Sequence, residues 1–205
     1  MIQIHRYEDQ IRAYEQYPIE TGKVLLYGSS FFANWGYERA KKQWFMASEG
    51  KLDVVNHGFG GATVEELLYH YNRLVLPYTP SAAVFRTGHN DVWIYSPQDA
   101  FFLTQRLFDW FQNDFLGIPL IALKAFDHPS ALPRNREALH RYNEMLDALS
   151  QTEPAIHTVD LNPFFYDAEG NFRDVFCEDG LHLTDSGYEQ MAAYLVPKIE
   201  SILSK

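Results

Sequence analysis

A single cysteine, Cys177, occurs in 205 residues, which excludes an intramolecular disulfide and any cysteine-based zinc site. That thiol reads as inert packing. Basic residues are also few: 17 Lys and Arg stand against 27 Asp and Glu, a formal charge of −10. Such a chain lacks the electrostatic footprint needed to hold a phosphate backbone or an anionic membrane, so no nucleic-acid partner is expected. No apolar run approaches the roughly 18 residues of a membrane span. Residues 1–22 carry Arg6, Glu8, Asp9 and Arg12 and show no apolar stretch of signal-peptide length, so the expected setting is cytoplasmic, without membrane insertion. Repeats, low-complexity tracts and Pro/Gly/Ser-rich linkers are missing as well, and residues 1–205 are expected to form a single domain.

What is present is an ordinary globular composition, 46% hydrophobic and 21% charged. Short apolar runs alternate with longer amphipathic ones, the pattern of parallel strands joined by crossover helices. Five strands are predicted, Lys23–Tyr27, Leu52–Asn56, Ala82–Thr87, Ile118–Lys124 and Ala155–Asp160, each nearly continuous in apolar character as a strand covered on both faces should be. Thr63-Val-Glu-Glu66 reads as a capping box and Ser96-Pro97 as an N-cap followed by proline, so helices should begin near 64 and 97. A third helix is predicted from about Arg134 to Leu149 and a fourth at the C-terminus, with Tyr188, Met191, Leu195, Ile199 and Ile202 on one face. Tyr7, Ile11 and Tyr14 predict a short helix packed on the outside, in an extension spanning residues 1–22.

Open parallel sheets bind ligands beyond the carboxyl ends of their strands. Four polar or glycine-rich clusters fall there: Gly28-Ser29-Ser30, Asn56-His-Gly-Phe-Gly-Gly61, Gly88-His-Asn-Asp91 and Asp179-Gly-Leu-His182. Singly each is a turn signal. Jointly they supply the roles acyl transfer needs: a nucleophile, a base, a group to orient the base and donors for an oxyanion. Ser30, at a strand-to-helix turn, is the candidate nucleophile, and its own backbone N–H is a candidate oxyanion donor. His182 is the candidate base, with Asp179 three residues earlier able to hold one ring nitrogen. Gly61, just before a capped helix, and the amide of Asn90 are the further oxyanion-hole candidates.

Tyr27-Gly-Ser-Ser-Phe-Phe-Ala-Asn-Trp35, Asn56-His-Gly-Phe-Gly-Gly-Ala-Thr63, Gly88-His-Asn-Asp91 and Asp179-Gly-Leu-His182 resemble, in order and spacing, the four blocks of the SGNH, or GDSL-like, hydrolases. By that resemblance Ser30, Gly61, Asn90 and His182 match the signature residues and Asp179 the third triad member. The resemblance is to the branch whose first block reads Gly-Ser-Ser; Ser29 stands where the family name has Asp. Ser30 keeps the register of the block to Gly28 and Trp35, and Ser29 reads as a turn or capping residue. The resemblance implies an α/β fold, a three-layer αβα sandwich on a flavodoxin-like five-stranded parallel sheet of order 2-1-3-4-5. It also implies a serine-dependent carboxylic ester hydrolase without cofactor, acting on a small-molecule ester; short connections without room for a lid favour short-acyl or O-acetyl esters of sugars or small alcohols. The competing reading is a binding module of the same fold without turnover.

Ser29, His89, Trp93 and Arg134 are candidate substrate-lining residues, and His57 is a weaker one. Trp35 reads equally as core. His5, His70 and His140 read as surface or satisfied core groups, and no group has metal-ligand spacing beyond Asp179 and His182. Arg86 and Lys124 end strands at the functional edge and Arg134 lies in the loop after the fourth; steering an anionic group of the substrate is one reading, and a structural ion pair with one of the many carboxylates is the favoured one.

Overall fold

Five apolar runs pair side by side because both of their faces are to be covered. The computed structural model describes residues 6–204, so His5 and the start of the N-terminal extension lie outside the described residues. The strands are β1 (Val24–Gly28), β2 (Val54–Gly58), β3 (Ala82–Arg86), β4 (Leu120–Leu123) and β5 (Ile156–Val159). All pair in parallel, in the order β2-β1-β3-β4-β5. β4 and β5 are shorter than the apolar runs that contain them; the last of those residues turn into the loops of the sheet's carboxyl edge.

The helices are α1 (Glu8–Tyr14), α2 (Ser30–Trp35), α3 (Tyr37–Ala47), α4 (Val64–Leu74), α5 (Pro97–Asp114), α6 (Pro133–Thr152), α7 (Asn162–Phe165) and α8 (Asp185–Leu203). Their starts follow local chemistry. The carboxylate of Glu66 accepts from the backbone N–H of Thr63 at 2.9 Å and from its hydroxyl at 3.2 Å, closing the box at the head of α4. The hydroxyl of Ser96 accepts from the backbone N–H of Asp99 at 3.1 Å, with Pro97 opening α5, where its missing N–H leaves nothing unpaired.

Strand alternation sends Leu25, Tyr27, Val55, Ala83, Phe85 and Ala122 to one face, against α1, α4, α5 and α6. Val24, Leu26, Val54, Val84, Ile121 and Leu123 go to the other, against α2, α3 and α8. These two cores make the three-layer αβα sandwich. Helix α1 is more than an outer appendage, since Ile11 is fully buried and Tyr14 nearly so in the first core. Cys177, by contrast, is exposed rather than packed. No helix among the described residues is long and apolar enough to cross a membrane.

Candidate active site

The turn out of β1 is unusually short: β1 ends at Gly28, Ser29 takes the N-cap position, and Ser30 is already the first residue of α2. The hydroxyl of Ser29 makes no capping bond. The close packing requires glycine, because a Cβ on Gly28 would stand 2.5 Å from the Arg86 carbonyl oxygen and one on Gly58 2.4 Å from Cβ of Phe32. Fully buried Asn56 ties the short helix down, its Nδ2 donating to the Phe32 and Gly36 carbonyls at 2.8 and 3.1 Å. Ser30 therefore leads a helix anchored at its far end, and by helix geometry its backbone N–H has no intrahelical acceptor.

His182 sits in the loop before α8. The backbone N–H of Cys177 donates to its carbonyl at 2.7 Å, and an antiparallel bridge joins Phe176 to Leu183 beside it. Tyr188 at the start of α8 donates its hydroxyl proton to the Phe31 carbonyl at 2.9 Å, fixing this loop against α2. The ring Nδ1 of His182 lies 2.6 Å from Oδ2 of Asp179. Burial acts to raise the pKa of that carboxyl, but hydrogen bonds from the backbone N–H groups of His182 and Leu181 and from the His182 ring outweigh it and hold it down at about 2. An ionised Asp179 accepts only, so in the neutral ring Nδ1 carries the proton and Nε2 presents its lone pair. That Nε2 is buried and has no hydrogen-bond partner among the described residues.

Ser29, Ser30, Arg86, His89 and His182 line one cavity, walled also by Phe31, Phe126 and Tyr188. It is narrow, with about 10 Å³ open to the centre of a water molecule. His89 is 7% exposed; burial first, then the charges of Arg86, His128 and His182, push its pKa well below the usual histidine range.

Gly61 and Asn90 lie on the neighbouring loops and do not line that cavity; the two loops are joined through Asn90 and Ala62. Asn90 Nδ2 donates one proton to the Ala62 carbonyl at 2.8 Å, which leaves its second N–H. Gly61 is exposed at φ 76°, and its carbonyl accepts from the Arg6 guanidinium at 2.7 Å. Asp91, 1% exposed, accepts from the Val64 N–H at 2.8 Å and so clamps these two loops together; burial lifts its pKa to about 6. Trp93 and Arg134 line a separate open cavity of about 230 Å³ with Val92 and Asn135.

Several sequence expectations change. His57 is fully buried away from the cavity, its ring 5.1 Å from Tyr14 and 4.5 Å from Tyr78, and Nδ1 donates to the Leu74 carbonyl at 2.7 Å. Strand alternation is the reason: Asn56 faces α2, so His57 faces the opposite layer. Trp35 is core, packed on Trp44 and Tyr188. His70 is buried with Nδ1 unpartnered among the described residues. Lys124 does form an ion pair, with Asp147 at 2.8 Å, whereas Arg86 has no carboxylate partner among the described residues. A wider cavity of about 350 Å³ opens beyond β4 and β5, but its Asp127 is already engaged by Arg136 at 3.0 Å and by the Tyr166 hydroxyl at 2.9 Å. The anchoring roles of Asn56 and Tyr188 had no signal in the sequence beyond a polar residue in an apolar strand and a tyrosine in an apolar stripe.

The family model described as GDSL-like Lipase/Acylhydrolase matches residues 26–190. Solved structures share the fold at low identity. A GDSL-like lipase from Bacteroides thetaiotaomicron is 18% identical, with 97% of this chain and 99% of that one covered and a TM-score of 0.73. An acetylxylan esterase from Geobacillus stearothermophilus is 18% identical over 89% of this chain and 96% of its own, with a TM-score of 0.70. A member of the lipolytic protein G-D-S-L family from Veillonella parvula is 14% identical over 88% and 99%, also with a TM-score of 0.70. No curated protein sequence matches the chain.

Proposed function

Because the chain belongs to the GDSL-like lipase/acylhydrolase family, we propose that it hydrolyses carboxylic esters through an acyl-enzyme on Ser30. The observation that carries this reading is the state of His182: Nδ1 is held by Asp179, and the buried lone pair of Nε2 belongs to a residue sharing a cavity with Ser30. In this mechanism Nε2 takes the Ser30 hydroxyl proton as Oγ attacks the ester carbonyl. The resting structure has no Ser30–His182 hydrogen bond, a gap that substrate binding often closes in such sites. The tetrahedral oxyanion is met by the backbone N–H groups of Ser30 and Gly61 and by the free N–H of the Asn90 amide, each such donor contributing about 3 to 4 kcal/mol in the transition state. Collapse expels the alcohol, which takes its proton from His182. Water, deprotonated by the same nitrogen, then releases the acid.

The narrowness of the cavity supports short acyl groups. The open cavity at Trp93 and Arg134 offers a face for a small alcohol or a sugar ring, on which an indole stacks well. The acetylxylan esterase among the structural neighbours is consistent with an O-acetyl sugar ester as substrate. The test is turnover of p-nitrophenyl acetate by Ser30→Ala, with folding checked by circular dichroism. We expect a loss of about 10⁴-fold or more; wild-type turnover in that variant overturns the proposal and leaves a binding module as the better reading.

A further inference from the structure

Arg86 closes β3, a strand otherwise made of alanine, valine and phenylalanine, and alternation turns its side chain toward the layer of α2 and α8. It is 2% exposed. Among the described residues its hydrogen bonds are two long ones, Nη1 to the Thr87 carbonyl at 3.5 Å and Nη2 to Nδ1 of His89 at 3.4 Å, and Nε has no partner. The guanidinium carbon stands 4.8 Å from the centre of the Phe126 ring and 5.9 Å from that of Phe31. Cation–π attraction to these two rings offsets only part of the cost of burying an ion. Burial lowers the pKa to about 10, so the group is still charged at neutral pH.

A guanidinium donates only, so Nδ1 of His89 is the acceptor and the proton of this neutral ring sits on Nε2. That nitrogen too is buried without a partner among the described residues. A buried cation without a counter-charge among the described residues, and an unused N–H donor, thus belong to two residues lining the cavity beside Ser30 and His182.

We propose that Arg86 and His89 form a binding site for a small carboxylate at the floor of this cavity. The site rests on the reading of Ser30 and His182 as hydrolytic machinery only for what the ligand means. As it stands the space admits about one water, so a planar carboxylate, which must displace less of the lining than tetrahedral sulfate or phosphate, is the anion favoured. Such a carboxylate has two sources: the acid released at Ser30, or a second carboxylate on the acyl group of a half-ester.

Titration calorimetry on the wild-type protein at constant ionic strength tests the site with sodium acetate, acetamide and sodium sulfate. Acetate is expected to bind, and neutral acetamide and tetrahedral sulfate are not. Arg86→Met, close in volume, is expected to weaken acetate binding about tenfold or more, and Arg86→Lys, which keeps a charge, to weaken it less. No acetate binding up to roughly 0.1 M, equal binding of acetamide, or wild-type affinity in Arg86→Met overturns the proposal. If Arg86→Met does not fold, the comparison of the three solutes on the wild type decides alone. The sources separate kinetically: faster turnover of monomethyl than dimethyl malonate, reduced in Arg86→Lys and lost in Arg86→Met, assigns the site to a substrate carboxylate, and competitive inhibition by acetate without that preference assigns it to the product. Because acetate binding needs no turnover, it persists in Ser30→Ala. A protein that binds acetate but hydrolyses no ester removes the esterase reading and leaves the carboxylate site standing.

Discussion

Asp179 holds His182 by both the ring and the backbone: Oδ2 accepts from Nδ1 at 2.6 Å, while Oδ1 accepts from the His182 and Leu181 N–H groups at 2.9 Å each. The carboxylate thus sets the tautomer of the imidazole and the turn that presents it. An amide in its place can hold the turn through its oxygen, but its NH₂ facing Nδ1 drives the ring proton to Nε2 and removes the base. Asp179→Asn is therefore expected to lower kcat by about 10²- to 10⁴-fold with little change in melting temperature. Steady-state kinetics with p-nitrophenyl acetate check this, and near-wild-type kcat counts against the mechanism. Since hydrogen bonds hold the folded pKa at about 2, any stabilisation from this carboxylate is complete above the ordinary aspartate range and fades only as pH falls toward that value.

Asp91 gives the opposite pH dependence. Its folded pKa of about 6 exceeds the ordinary aspartate value, so the folded state binds more protons than the unfolded one between roughly pH 4 and 6. The stabilisation is full below that window and is lost as pH rises through it, by about 2 to 3 kcal/mol. Urea melts of wild type and Asp91→Asn, which keeps an acceptor for the Val64 N–H, should diverge across this window. Parallel curves would show that the carboxyl does not titrate there.

Gly88 joins β3 to the loop bearing His89 and Asn90 at φ 80°, and an added Cβ would meet the Tyr142 ring at 2.2 Å. That ring cannot yield, because its hydroxyl is held by Thr87 and Thr104 at 2.8 Å each. Gly88→Ala is expected to cost about 3 kcal/mol or more, from left-handed backbone strain plus overpacking. Denaturant unfolding checks it; a change below half that size would mean the loop relaxes freely.

Trp93 is 47% exposed and lines the open cavity with Arg134. If this face takes the alcohol part of the substrate, Trp93→Ala should raise KM for an acetylated sugar several-fold while kcat for p-nitrophenyl acetate stays close to wild type. A fall in kcat alone would place the indole elsewhere in the reaction.

The sheet was legible because burial on both faces makes its strands read as unbroken apolar runs, and α4 and α5 because Thr63 with Glu66 and Ser96 with Pro97 mark their starts. Helices α2 and α3 were not, since six residues beginning Ser-Phe-Phe show no helical period, and Lys41 and Lys42 sit amid the apolar positions of α3. The close pairing of Asp179 with His182 was foreseeable from a three-residue interval. The fate of His57 and Arg86 was not, because it turns on alternation: one step along β2 puts His57 in the wrong layer, whereas Arg86 shares the parity of Ala82 and Val84 and ends beneath Ser30. The ion pair expected of Arg86 failed because the carboxylates of α8 point away from it, Asp185 and Glu189 being exposed and Glu200 paired with Lys51, something no linear reading reveals.

The guanidinium of Arg6, just ahead of α1, grips the carbonyl of Gly61, and Tyr14 at the end of that helix reaches the carbonyl of Gly58. The residues preceding the first strand thus act as a brace across the glycine-rich corner, so trimming the chain back to residue 22 is expected to free the segment proposed to meet the oxyanion and to slow ester turnover before the sheet itself gives way.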